Sequence, residues 1–401
     1  MQATSTVNTD QSQNRRLLVI TLCYLVFILL GLPDGMLGVA WPSMRATFGQ
    51  PLDAMGVLLI SSTCGFLAVS VIVGRLMGRF GIATFLIIAS LIRMASMLGY
   101  AVAPAWWLMA LSAFAYGMGS GAIDAGLNTF FAMSFSPRLM NWLHAAFGVG
   151  ATLGPLIMTV MVAQNLTWRW GYVVIALMQF GLTIAIFVTR RSWNVPVQES
   201  VRAASEREAG AVSARATLML PAVWLGIAIF FVYTGTEVTA GNWNFTLFTE
   251  GRGVDVAVAG FWASAYWATF TLGRIVFGFI SEGRSVVRMI RGCLTLALIG
   301  ALLMMWNPTE LTGFLGVAFL GFMLAPIFPL LVSETPLRIG VAYAQHAIGF
   351  QVGAANLGLA LMPTLAGILA VRTTLEIIPP FIIGSLLVLI VLHEVLVRQR
   401  A

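Results

Sequence analysis

The chain has 401 residues, 59% of them hydrophobic and only 9% charged, with a formal net charge of +7. Globular domains run nearer about 45–50% apolar and about 25% charged. That excludes an ordinary water-soluble enzyme or nucleic-acid binder and makes the bilayer the solvent for most of the chain.

All 22 basic residues are Arg, and they lie between apolar runs rather than in a patch, so the basic balance does not point to nucleic acid. Cys23, Cys64 and Cys293 lie in or beside apolar runs without metal-ligand spacing and are expected to pack in the core. No metal site and no cofactor is expected.

The first fourteen residues are polar, and the first apolar run begins at Leu17 without a small-residue cleavage site, which reads as a retained span. Twelve apolar segments of spanning length follow. The first six are 17–40, 53–76, 83–103, 106–131, 140–163 and 169–189. The second six are 219–247, 255–280, 288–306, 310–332, 341–369 and 375–396. Backbone groups in hydrocarbon must be satisfied within each span, so a helical bundle is expected.

Residues 190–218 form the one long hydrophilic stretch and read as a cytoplasmic linker carrying at most one surface helix. It separates two six-helix halves, 1–189 and 219–401. Arg is biased to one side. Arg15, Arg16, Arg75, Arg79, Arg138, Arg190, Arg191, Arg202, Arg207, Arg215, Arg284, Arg288, Arg291, Arg338, Arg398 and Arg400 share the side of the termini, which is read as cytoplasmic. The opposite loops carry only Arg45, Arg169, Arg252 and Arg372.

The halves also repeat. Phe147-x-Val149-Gly150-Ala151 recurs as Phe350-x-Val352-Gly353-Ala354, and at the same offset Asp34 meets Glu237 and Gly38 meets Gly241. Duplicated halves around a midplane site are the architecture of secondary transporters.

Gly74-Arg-Leu-Met-Gly78-Arg79-Phe-Gly81, after the second span, resembles the cytoplasmic motif of the major facilitator superfamily. Gly278-Phe-Ile-Ser-Glu282-Gly-Arg284 is its counterpart after the eighth span. The motif's acidic position is Gly78 in the first copy and Glu282 in the second, so the acid–helix contact of the first half has no acid here. Asp124 followed by Asn128 after a Gly-rich run, an acid at position 34 and the segment NWLHAAFGVGATLGP resemble the fucose–galactose–glucose:proton symporter branch. The resemblance implies an all-α membrane protein with two pseudo-symmetric six-helix halves. It also implies sugar transport coupled to protons, with Asp34 and Asp124 as coupling acids.

Ionisable residues inside spans are costly and are functional candidates by default. Asp34 follows Pro33 among Gly31, Gly35 and Gly38, which permit close helix approach or local unwinding. Asp124 and Asn128 share a helix face and are expected to hold one solute. In the seventh span Tyr233, Glu237 and Asn244, in the eighth Trp262 and Tyr266, and in the eleventh Gln351 and Asn356 are candidate solute contacts. Aromatic faces beside amides suit a sugar, whereas a Trp or Tyr facing lipid is the bland alternative. Trp106, Trp107, Trp168 and Trp170 are expected in the interfacial belt, with Trp262 and Trp267 open to either reading. Asn141 and His144 read as gate or packing residues, together with Gly74, Arg79, Arg274 and Glu282. Arg93, deep in the third span, is expected to pair with Asp124 or Asp34.

No phosphate-binding Gly-x-x-x-x-Gly-Lys motif and no catalytic grouping occurs, so neither an ATP-driven pump nor an enzyme is expected. The reading is a monomeric secondary active transporter of a small polar organic solute in a bacterial inner membrane. It is coupled to protons, with sodium left open. The alternatives are an exporter of amphipathic drugs or lipids and a receptor on the same scaffold.

Overall fold

The computed structural model describes residues 3–70, 72–193 and 213–399. The centre of the hydrophilic linker, with Arg202, Arg207 and any surface helix there, lies outside the described residues, as does Arg400. Every apolar run becomes a helix. The first six spans are Ala3–Phe48, Met55–Ser70 continued by Val73–Phe80, Ile82–Val102, Trp106–Ser134, Pro137–Ala163 and Arg169–Thr189. The second six are Pro221–Thr246, Val256–Ile280, Val286–Trp306, Glu310–Leu324 continued by Ile327–Ile339, Val341–Arg372 and Ile378–Arg398.

Among the described residues, ten helices are long and apolar enough to cross a membrane. The fourth and eighth spans are also long, 29 and 25 residues, but are diluted by Gly, Ser, Tyr and Trp. These two carry residues that face protein rather than lipid. The first helix runs from Ala3 to Phe48, well beyond the expected limits on both sides, and stays helical through Pro33 and Pro42. The tenth span breaks at Ala325-Pro326 because Pro326 has no N–H to continue the ladder. The seventh ends in a π-helical turn, Leu247–Gly251.

Within the first half, the first span packs on the fifth, the second on the fourth, and the third on the fourth and sixth. The second half repeats the scheme: the seventh span packs on the eleventh, and the ninth on the tenth and twelfth. The halves meet through the first and seventh spans, the fifth and eighth, and the second and eleventh. Glycine permits the tightest of the approaches within a half. A Cβ at Gly31 would strike the carbonyl oxygen of Phe147, and one at Gly150 would strike that of Ile28.

Trp107 and Trp170 point outward, 66% and 53% exposed, as belt residues do. Trp168 and Trp106 correct the expectation. Trp168 is buried and donates from Nε1 to Thr47 Oγ1 at 2.9 Å. Trp106 packs on Trp41 and Phe48 with ring centroids 6.0 and 5.8 Å apart. Successive helical residues point about 100° apart, so adjacent Trp side chains take opposite surroundings. Cys64 is likewise exposed rather than in the core, while Cys23 and Cys293 are buried.

The halves close against each other on the side away from the termini. Arg45, at the end of the first helix, donates from Nη2 to Glu250 Oε2 in the π-turn at 2.5 Å. Nearer the middle, Ser264 Oγ donates to the Thr152 carbonyl at 2.6 Å, and Gly38 sits against the backbone of Asn242.

Candidate functional site

The site begins with a fault in the first helix. Pro33 has no N–H, so the carbonyl of Leu29 loses its helical donor. Arg93 supplies one from the third span: its Nη2 donates to Leu29 O at 2.7 Å and to Leu30 O at 2.9 Å. The same guanidinium donates from Nη1 to Gln179 Oε1 at 3.1 Å and from Nε to Ser120 Oγ at 3.2 Å. Arg93 is 0% exposed, and among the described residues it has no acidic partner. The expected ion pair with Asp124 or Asp34 is therefore corrected, because the carbonyl freed by the proline and its neighbour take the place of a carboxylate.

Arg93 reaches Asp34 through Tyr116. Its guanidinium lies 5.3 Å from the centroid of the Tyr116 ring, and Tyr116 Oη donates to Asp34 Oδ1 at 2.5 Å. Asp34 then faces a cavity of about 150 Å³ between the halves. The first half contributes Pro33, Asp34, Ser62, Tyr100, Tyr116 and Tyr172 to its wall, and the second contributes Thr234, Glu237, Asn242 and Trp267.

Glu237, the repeat counterpart of Asp34, enters this cavity from the seventh span. Its backbone carbonyl accepts from Tyr266 Oη at 2.7 Å, which fixes the helix there. Thr234 Oγ1 is buried without a partner. Among the described residues that line the cavity there is no Arg and no His. An apolar, ring-rich chamber with a few convergent polar groups is the usual form of a small-molecule site. Its two carboxyl groups disfavour an anionic occupant.

The remaining candidates are dispersed. Tyr233 and Tyr266 are fully buried and donate to backbone carbonyls, Leu324 O at 2.9 Å in the case of Tyr233, so they are braces beside the chamber. Asn244 is fully buried away from it with both amide atoms unpartnered. Trp262 stacks on Phe314 at 5.1 Å. Gln351 accepts from Thr335 at 3.1 Å in a separate small cleft beside Glu334 and Arg338. Asn356 donates to Val352 O within its own helix. Asp124 and Asn128 bond each other, Nδ2 to Oδ1 at 3.0 Å, rather than jointly facing the chamber.

Toward the terminal side, Asn141, His144, Gly74, Arg79 and Glu282 are exposed, and the Arg274 guanidinium stacks on Phe270 at 4.6 Å. Sequence reasoning missed Tyr100, Tyr116, Tyr172, Ser62 and Thr234 as wall residues. The signal for the tyrosines was their rarity: three of the seven in the chain line this one chamber.

Twelve helices in two repeated halves around a chamber between them define a membrane transporter, not an enzyme. Residues 23–339 match the Major Facilitator Superfamily, and the chain belongs to that family. It is similar to the glucose/mannose transporter GlcP of Bacillus subtilis, 22% identical, with 86% of each chain covered. It is also similar to human sodium-dependent glucose transporter 1, 23% identical over 86% of this chain and 72% of that one. In fold it matches the fucose:proton symporter FucP of E. coli with a TM-score of 0.63, at 13% identity and covering 93% of this chain and 98% of that one.

Proposed function

We propose that the protein carries a small polar organic solute, a sugar, across the membrane by alternating access, with protons as the coupling ion. The observation that carries this reading is the chamber between the halves, entered by two acids at repeat-related positions and walled by aromatic rings. Ring faces stack on the apolar faces of a pyranose, while Thr234 Oγ1 and the Glu237 carboxyl group pair with its hydroxyls. A relative named as a glucose/mannose transporter and a fold neighbour named as a fucose:proton symporter support it.

Asp34 is the proton-carrying acid in this reading, because it meets the solute chamber directly. Glu237 and Asn242 contact the solute. Asp124 acts outside the chamber, through its bond to Asn128. The halves rock about the site, and the state described here is closed on the side away from the termini. Both termini face the cytoplasm of a bacterial cell whose inner membrane holds the protein, as the Arg bias suggests.

The test is uptake by purified protein in liposomes. Radiolabelled glucose, mannose, fucose and xylose are offered with a pH gradient, with a sodium gradient and with neither. The expected result is accumulation of at least one sugar under the pH gradient, abolished by a protonophore. Accumulation under sodium alone would overturn proton coupling. Transport of lipophilic cations to the exclusion of all sugars would overturn the solute class.

A further inference from the structure

We propose that Arg93 is a positioning residue for Asp34, holding the first helix at its proline break and aiming Tyr116 at the carboxyl. The proposal rests on the coupling role of Asp34 given above. A buried cation without an acidic partner is costly unless its hydrogen-bonding capacity is filled. Arg93 uses four of its five N–H donors, on the orphaned Leu29 carbonyl, the neighbouring Leu30 carbonyl, Gln179 and Ser120. Only a guanidinium has a planar fork able to serve several such acceptors and lie against a ring at once.

Four spans converge on this one side chain: the first through its carbonyls, the third as its root, the fourth through Ser120 and the Tyr116 ring, the sixth through Gln179. Gly119 packs directly on the Arg93 backbone and Cβ, which brings the third and fourth spans together at the root of the side chain. An adjacent cation strengthens the phenol as a donor, and Tyr116 Oη spends that donor on Asp34 Oδ1. The second carboxyl oxygen is left for the proton.

The charged and titratable groups around Asp34 come from four neighbouring spans. They are Arg93 and Tyr100 from the third span, Tyr116 and Asp124 from the fourth, Tyr172 from the sixth and Glu237 from the seventh. Arg93 is the cation among them. It and the hydrogen bond from Tyr116 fix the surroundings in which Asp34 exchanges its proton.

The experiment is an infrared titration of the purified full-length protein, following the carboxylic C=O stretch that Asp34→Asn removes. Tyr116→Phe deletes one oxygen and keeps the ring in place. It is expected to move the midpoint of that band by about one pH unit, a tenfold change in proton binding. Arg93→Gln is expected to move it the same way, and Arg93→Lys, which keeps the charge, to bring it back toward wild type. A wild-type midpoint in either Arg93→Gln or Tyr116→Phe overturns the proposal. If Arg93→Gln does not fold, Tyr116→Phe alone decides. D-glucose uptake under a pH gradient separates the two readings. An Asp34→Asn protein that still accumulates the sugar removes the coupling role, whereas the infrared shifts would stand without it.

Discussion

Weakening the Arg45–Glu250 bridge should open the side of the protein away from the termini. The bridge joins the ends of the first and seventh spans at 2.5 Å, with the two side chains 28% and 31% exposed. An unscreened estimate with an effective dielectric of about 20 gives roughly 4 kcal/mol for unit charges 4 Å apart. At this exposure water and salt compete, and measured surface pairs contribute about 0.2–1 kcal/mol. Neutralising either partner, Arg45→Gln or Glu250→Gln, should therefore raise the open population by at most about fivefold. Arg45→Glu should raise it further, because two carboxylates then face each other, and adding Glu250→Arg should restore closure. Spin labels at exposed Gln164 and Thr373, in a background with exposed Cys64 replaced by Ser, report the two halves on that side. The long-distance component in double electron–electron resonance should grow in the single variants, and the effect should shrink in about 1 M salt, where screening acts within about 3 Å. Distance distributions identical to wild type in Arg45→Gln, Glu250→Gln and Arg45→Glu would refute the latch.

Gly150 and Gly353 occupy equivalent repeat positions but differ in surroundings: a Cβ meets the Ile28 carbonyl at the first and nothing within 4 Å at the second. Gly150→Val should sharply reduce monodisperse protein in detergent size-exclusion, while Gly353→Ala should change the melting temperature little. Glu237→Gln should weaken solute binding about tenfold in counterflow, the cost of a hydrogen bond to a charged group. Asp124→Asn keeps an oxygen facing Asn128 and lies outside the chamber, so pH-driven uptake should survive it within a few fold, measured in the same liposomes.

The architecture was legible in the residues because hydrocarbon enforces it. Runs of spanning length and the offset that pairs Asp34 with Glu237 survive folding, and the two acids do share a chamber. What the sequence could not show was which partner each buried group takes. Arg93 meets Leu29 and Gln179, 64 and 86 residues away, on other spans whose rotation is set by packing. Residue type also fails to separate lipid from protein contact: Trp168 and Trp170 differ by two positions, and only the first turns inward. Asn128 was read correctly as sharing a face with Asp124, but neighbours on one helix face can satisfy each other as easily as a solute.

The central claim, that Asp34 carries the coupling proton within the solute chamber, is tested most directly by one variant in two assays. Asp34→Asn in proteoliposomes is expected to catalyse sugar counterflow at a rate near wild type while failing to accumulate sugar when a pH gradient is imposed. Accumulation equal to wild type under that gradient would contradict the account.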